Sequence, residues 1–136
     1  MEERLVKVGI THGDINGIGY EVILKTLSDT RITELCTPVI YGSSKIAAYH
    51  RKALELPAVN LSIIAQAEDA GVNRVNVINC VDDETKVELC QSTTVAGEAA
   101  YLALEAAVTD LKRGAVDVLV TAPIIKSNLG ESAHFK

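Results

Sequence analysis

The tightest constraint in this sequence is a strand that runs straight into a glycine loop. Leu5-Val6-Lys7-Val8-Gly9-Ile10-Thr11 is rich in β-branched residues and reads as a strand. His12-Gly13-Asp14-Ile15-Asn16-Gly17-Ile18-Gly19 cannot continue it, because three glycines in seven positions punctuate a loop. Beyond Gly19, the apolar residues Val22, Ile23, Leu27, Ile32 and Leu35 recur close to helical spacing. The order is strand, glycine loop, helix.

The alternation continues. Pro38 to Gly42 reads as a second strand, and Ser43 or Ser44 can cap a helix to about Glu55, with Ile46, Ala47, Leu54 and Tyr49 facing inward. Pro57 ends that helix. Val59 to Ile64 and Val75 to Asn79 are further strands, and Ala65 to Asn73 between them is too short for a helix. Asp82 to Cys90 reads as a surface loop with room for a small strand at Val87 to Leu89. Thr94 is placed to cap a helix from Val95 to Arg113 with Ala99, Leu102, Ala106 and Leu111 inward, and Gly114 is its C′ stop. Val116 to Thr121 is a strong strand closed by Ala122-Pro123, and Ile124 to Leu129 could open another helix. Strands that are near-continuous apolar runs need cover on both faces. The expected fold is α/β, a mostly parallel sheet covered by helices on both faces, within one segment spanning residues 1–136.

Composition removes several functions. Of 136 residues, 48% are apolar and 23% charged, which excludes disorder and low complexity. With 13 basic against 18 acidic side chains and no basic run, nucleic acid is not an expected partner. No apolar stretch reaches 18 residues, so no membrane span is expected, and Met1-Glu2-Glu3-Arg4 shows no secretory signal. Cys36, Cys80 and Cys90 form no C-x-x-C pair and read as free thiols in a reducing cytoplasm.

Open α/β sheets bind ligands beyond the carboxyl ends of their strands. Two such ends carry unusual residues. The first loop, G-D-x-x-G-x-G, has neither Walker A nor G-x-G-x-x-G spacing, yet its glycines let a backbone approach a ligand closely. Asp14 suits a ribose hydroxyl, a metal-bound water or a capping role; a tight turn with Asp14 or Asn16 as N-cap explains the same residues. At the second end, Lys126 is the catalytic candidate: it can hold a phosphate or carboxylate, act as an acid or base if its pKa is lowered, or stand as a solvated lysine. His12 could meet substrate but reads first as a hydrogen-bonded loop histidine, His50 reads as a solvated residue beside Lys52 and Glu55, and His134 has no reading. Histidines so scattered give no metal-ligand spacing. Tyr20, Tyr41, Tyr49 and Tyr101 read as packing residues, and Asp82-Asp83-Glu84 as a solvated face.

The stretch from Val8 to Glu21 resembles the opening of the 4-hydroxythreonine-4-phosphate dehydrogenases, a strand followed by G-D-P-A-G-I-G-P-E. Val116 to Lys126 resembles their strand ending in T-A-P-I-N-K, and Ser92 to Gly97 is similar to the segment that opens the preceding helix. The resemblance implies an isocitrate/isopropylmalate-dehydrogenase-like fold and a cytoplasmic homodimer. It implies NAD-dependent oxidation of 4-(phosphooxy)-L-threonine, then metal-assisted loss of CO₂, in pyridoxal phosphate (vitamin B6) synthesis. Gly13, Asp14, Gly17 and Gly19 would lie on the cofactor side of the cleft, and Lys126 near the phosphorylated substrate.

The sequence departs from the pattern at Ile15 and Tyr20, where the family has prolines, at Asn16 for alanine, and at Ile125 for asparagine. The family's phosphate-gripping G-H-T-E and its three metal-binding histidines would lie beyond Lys136, and none of His12, His50 or His134 matches them. The expectation is therefore the amino-terminal part of a longer two-domain dehydrogenase, inactive alone and with apolar surface left uncovered. A related phosphorylated hydroxy-acid dehydrogenase, or a non-catalytic nucleotide- or partner-binding module, is the alternative.

Overall fold

The computed structural model describes residues 5–82 and 84–123. The elements run β1 (Val6–Thr11), α1 (Gly19–Leu27), α2 (Thr30–Leu35), β2 (Cys36–Gly42), α3 (Ser44–Ala53), β3 (Leu61–Ile63), β4 (Val75–Asn79), α4 (Thr94–Lys112) and β5 (Val118–Thr121). A single 3₁₀ turn, Ala67–Asp69, precedes β4. The strands form one five-stranded sheet in the order β3-β4-β2-β1-β5, with every pairing parallel.

β2 shows how the sheet is covered. Successive side chains of a strand point to opposite faces. Val39 and Tyr41 pack with Ala103 and Ala107 of α4, whereas Ile40 packs with Ile23 and Leu27 of α1. Helices therefore lie on both faces, as a parallel sheet requires. A third cluster joins α1, α3 and the start of α4 through Tyr20, Leu24, Ile46, Ala47, Ala96 and Ala99.

Local details differ from the sequence reading. The first predicted helix is two: it stops at Ser28, and Asp29 caps α2 by accepting from the Arg31 N–H. Leu35 then falls at the end of α2 and is exposed. Thr93, not Thr94, caps α4, its hydroxyl accepting from the Ala96 N–H. α4 faces the sheet with alanines 96, 99, 100, 103 and 107, small enough for close approach, so Leu102 is turned outward. Ala106 and Leu111 are half-buried against the same cluster. Tyr49 on α3 and Leu54 just after it are exposed, and His50 takes the inward position instead, 1% exposed. Val87–Leu89 forms no strand, although Val87 packs against the core. β3 and β5 are shorter than expected, but Val116, just before β5, is fully buried.

β5 is an edge strand. Its Leu119 faces the α4 side, while Val118 and Val120 stay about half exposed on the other face, as does Val6 of β1. Among the described residues no helix is long and apolar enough to cross a membrane. The predicted helix at Ile124 to Leu129 lies outside the described residues.

Candidate functional site

The glycine loop leaves β1 at the carboxyl edge and is tied to the end of β5. Asp14 N–H donates to the Pro123 carbonyl at 2.8 Å, and His12 N–H donates to the Tyr41 carbonyl at 3.1 Å. Gly13 has φ +67°, and a Cβ there would run into the Pro123 carbonyl and stand 2.8 Å from that of Ala122. Glycine is needed at Gly13 on both counts. Gly17 lies over the Asp14 carboxylate, and Gly19 begins α1 against the His12 carbonyl. The four predicted loop residues thus come together at one strand end.

Asp14 is not a helix cap. Its Oδ1 accepts from the Asn16 N–H at 3.0 Å, the geometry of an Asx turn, and the residue is 7% exposed. The N-cap of α1 is Ile18, and no side chain caps that end. Asn16 does not cap it either. Its side-chain amide reaches forward to Glu88, Gln91 and Thr93.

Beneath the loop lies a fully buried polar network. His12 Nε2 is 2.8 Å from the Ala99 carbonyl, which can only accept, so Nε2 carries the proton. Nδ1 is then bare and accepts from the Tyr20 hydroxyl at 2.7 Å. The Tyr20 oxygen in turn accepts from the Ser43 N–H at 2.9 Å. The rings of His12 and Tyr20 meet edge-on, and Tyr20 stacks on His50 with centroids 5.4 Å apart. Burial lowers the His12 pKa to about 4, against the opposing bond to the Ala99 carbonyl. Burial also pushes the Tyr20 hydroxyl up. Both rings are held neutral.

His12 is the hydrogen-bonded loop histidine the sequence suggested, and it faces the interior. Tyr20 does more than pack. His50 is the correction: it is buried, not solvated, because its Nε2–H donates to the Ile15 carbonyl at 2.6 Å from beneath the glycine loop. Burial lowers its pKa, and its Nδ1 is buried without a partner among the described residues.

Ser43, one of the two cap candidates, does cap α3 by accepting from the Ile46 N–H at 3.2 Å; the sequence reading missed its N–H bond to Tyr20, the place of Gly42 and the reach of Asn16. Gly42, closing β2, was the available signal. Its place opposite Tyr20 and His12 is visible only in three dimensions.

Lys126 and His134 lie outside the described residues. The strand before Lys126 is in place, with Thr121 of β5 paired to Thr11 at the same edge as Gly13. No trio of His, Cys, Asp or Glu among the described residues stands together as a metal-ligand set. His12 commits both ring nitrogens to internal bonds, and His50 commits its Nε2.

Comparison with known proteins agrees with this architecture. A family model described as "Pyridoxal phosphate biosynthetic protein PdxA" matches residues 34–136. The 4-hydroxythreonine-4-phosphate dehydrogenase of Bacteroides thetaiotaomicron is 57% identical over 129 residues, 95% of this chain and 35% of that protein. The D-threonate 4-phosphate dehydrogenase of Cupriavidus necator is 31% identical, covering 98% of this chain and 40% of that one. A crystal structure of a 4-hydroxythreonine-4-phosphate dehydrogenase from Burkholderia phymatum superposes with a TM-score of 0.85 at 27% identity, over 98% of this chain and 41% of that chain. The chain thus spans between a third and about two-fifths of the length of these relatives. With the family match covering most of the chain and the parallel sheet superposing on a solved member, this chain belongs to the PdxA family of pyridoxal phosphate biosynthetic proteins.

Proposed function

We propose that this chain forms the amino-terminal part of the cleft of an NAD-dependent 4-hydroxythreonine-4-phosphate dehydrogenase, acting in pyridoxal phosphate synthesis. The observation that carries the reading is the 57% identity to the Bacteroides enzyme across 95% of the chain. The parent enzyme oxidises 4-(phosphooxy)-L-threonine, and the resulting β-keto acid loses CO₂ to give 3-amino-2-oxopropyl phosphate. It is a cytoplasmic homodimer.

NAD, when bound, accepts the hydride. The residues of this chain orient it. Gly13, Gly17 and Gly19 let the loop that would meet it fold tightly against Pro123, Asp14 and His12, and the start of α1 has no side-chain cap on its backbone N–H groups. Asp14 commits Oδ1 to Asn16 and leaves Oδ2 to accept from a ribose hydroxyl. A divalent metal has no ligand set among the described residues, so their part is positioning. Lys126 lies near the substrate and supplies a positive charge to its phosphate or carboxylate.

Asp14→Asn in the longer enzyme is expected to raise KM for NAD about tenfold, the worth of one hydrogen bond to a charged acceptor, with kcat less affected. An unchanged KM would remove Asp14 from the cofactor site. Lys126→Met is expected to lower kcat/KM for the phosphorylated substrate by about tenfold or more. Unchanged turnover and KM would end its role.

The 31% identity to the Cupriavidus enzyme favours a second reading, oxidation of D-threonate 4-phosphate. Following NADH formation with both substrates separates the two. Turnover of 4-(phosphooxy)-L-threonine supports the first, turnover of D-threonate 4-phosphate alone selects the second, and NAD binding without turnover selects a non-catalytic module.

A further inference from the structure

The geometry points to Asn16 as a positioning residue that clasps the segment 84–93 and the start of α4 to the glycine loop. Asn16 is 2% exposed and turns both ends of its side-chain amide and its backbone carbonyl toward that segment, while its N–H closes the turn on Asp14. Its Oδ1 accepts from the Glu88 N–H at 2.7 Å. Its Nδ2 donates to the Gln91 carbonyl at 3.0 Å and to Thr93 Oγ1 at 3.2 Å. Its own carbonyl accepts from the Cys90 N–H at 2.9 Å. The amide orientation is unambiguous, because Glu88 N–H can only donate and Gln91 O can only accept.

These bonds hold a segment with little regular structure of its own. Residues 84–93 leave the carboxyl edge after β4 and form no helix or strand. Cys90 sits at φ +66°, a left-handed conformation that a cysteine keeps only when its surroundings impose it. Thr93 Oγ1 is shared: it accepts from Asn16 Nδ2 and from the Ala96 N–H as the cap of α4. One turn later the Ala99 carbonyl of α4 receives the His12 Nε2–H. The glycine loop and the α4 region are therefore hydrogen-bonded through both His12 and Asn16, and Asn16 also carries the segment between them. The alanine that the family's pattern has at this place could make none of the three side-chain bonds.

The kinetic consequence rests on the dehydrogenase reading above; the clasp itself does not. Hydrogen exchange separates them. In Asn16→Ala, the Glu88 and Cys90 amides should exchange about tenfold faster, while Ile40 and Val77 of the central strands keep their protection. Unchanged exchange at Glu88 and Cys90 would overturn the clasp. Should that variant not fold, Asn16→Asp keeps the acceptor for Glu88 and loses both donors. The Glu88 amide then stays protected while the Cys90 amide, next to the Gln91 carbonyl that has lost its donor, exchanges faster, and protection retained at both overturns the clasp. In the longer enzyme, Asn16→Asp should raise KM for NAD severalfold with kcat within about twofold. Equal KM values would leave a clasp with no positioning role. A wild-type enzyme without turnover would overturn the dehydrogenase reading while the exchange data still decide the clasp.

Discussion

Lowering the pH from 7 to 4 is expected to remove about 3 kcal/mol of folding stability through His12 alone. The ring is fully buried, and its pKa falls from the ordinary 6.5 to about 4, first because burial disfavours the charged form. An unfolded chain takes up the His12 proton as the pH drops through 6.5, and the folded chain does not until about 4. Between those values the unfolded state binds more protons, so stability falls with falling pH. The loss is complete once the folded histidine also titrates. His50, buried beside Tyr20 and lowered in the same direction, adds to the slope. The surface carboxylates of Asp29 and Glu68 are held near 2 by Arg31 and Arg113, so their contribution is lost from their ordinary 3.8 and 4.5 downward and overlaps only the acidic end of the histidine range. Urea unfolding midpoints measured from pH 7 to 4.5 give the slope. In His12→Gln the slope should drop by one proton, even though the variant is less stable at pH 7. A variant with the full wild-type slope would show that His12 does not titrate as described.

The substitution Gly42→Ala is expected to cost about 3 kcal/mol or more, at a position where the backbone itself has no need of glycine. The added methyl would overlap the Tyr20 hydroxyl and stand 2.8 Å from His12 Nδ1 and 3.0 Å from His12 Cβ. Neither ring can retreat. Tyr20 is pinned between His12 and the Ser43 N–H, and His12 between Tyr20 and the Ala99 carbonyl. Moving either leaves a buried polar group unpaired, which costs about 1–3 kcal/mol each, on top of the overpacking. Gly114 makes the contrast. It has φ +80° with nothing within 4 Å of an added Cβ, so alanine there meets only the left-handed penalty of about 1 kcal/mol. Thermal unfolding of Gly42→Ala, Tyr20→Phe and the double variant tests the cause. The methyl's main clash is with the hydroxyl that Tyr20→Phe removes, so the double variant should be less damaged than the sum of the singles. Simple additivity would place the damage elsewhere.

His50 and Asn16 show where sequence reasoning stopped. His50 sits among Arg51, Lys52 and Glu55, and local charge argues for a solvated face. It turns inward because the Ile15 carbonyl, 35 residues away, offers a buried acceptor. Asn16 looks like a turn residue, and its partners lie as far as 77 residues along the chain. On α4, leucine at position 102 is more apolar than the alanines around it. The sheet selects the alanines because only a small-residue face lets the helix close on Val39 and Tyr41.

By itself the sequence determined the order of strands and helices, the parallel α/β class and the meeting of glycine loop and last strand at one edge. Those follow from periodicity, glycine placement and the need to bury near-continuous apolar strands, all local properties of the chain. Only the tertiary structure decided that Asp14 closes an Asx turn and not a helix end, that His12 and Tyr20 form a neutral buried pair, and that Gly42 leaves room for them. A buried polar group must find its partner wherever packing places one, and that place lies far along the chain and leaves no mark on the neighbouring residues.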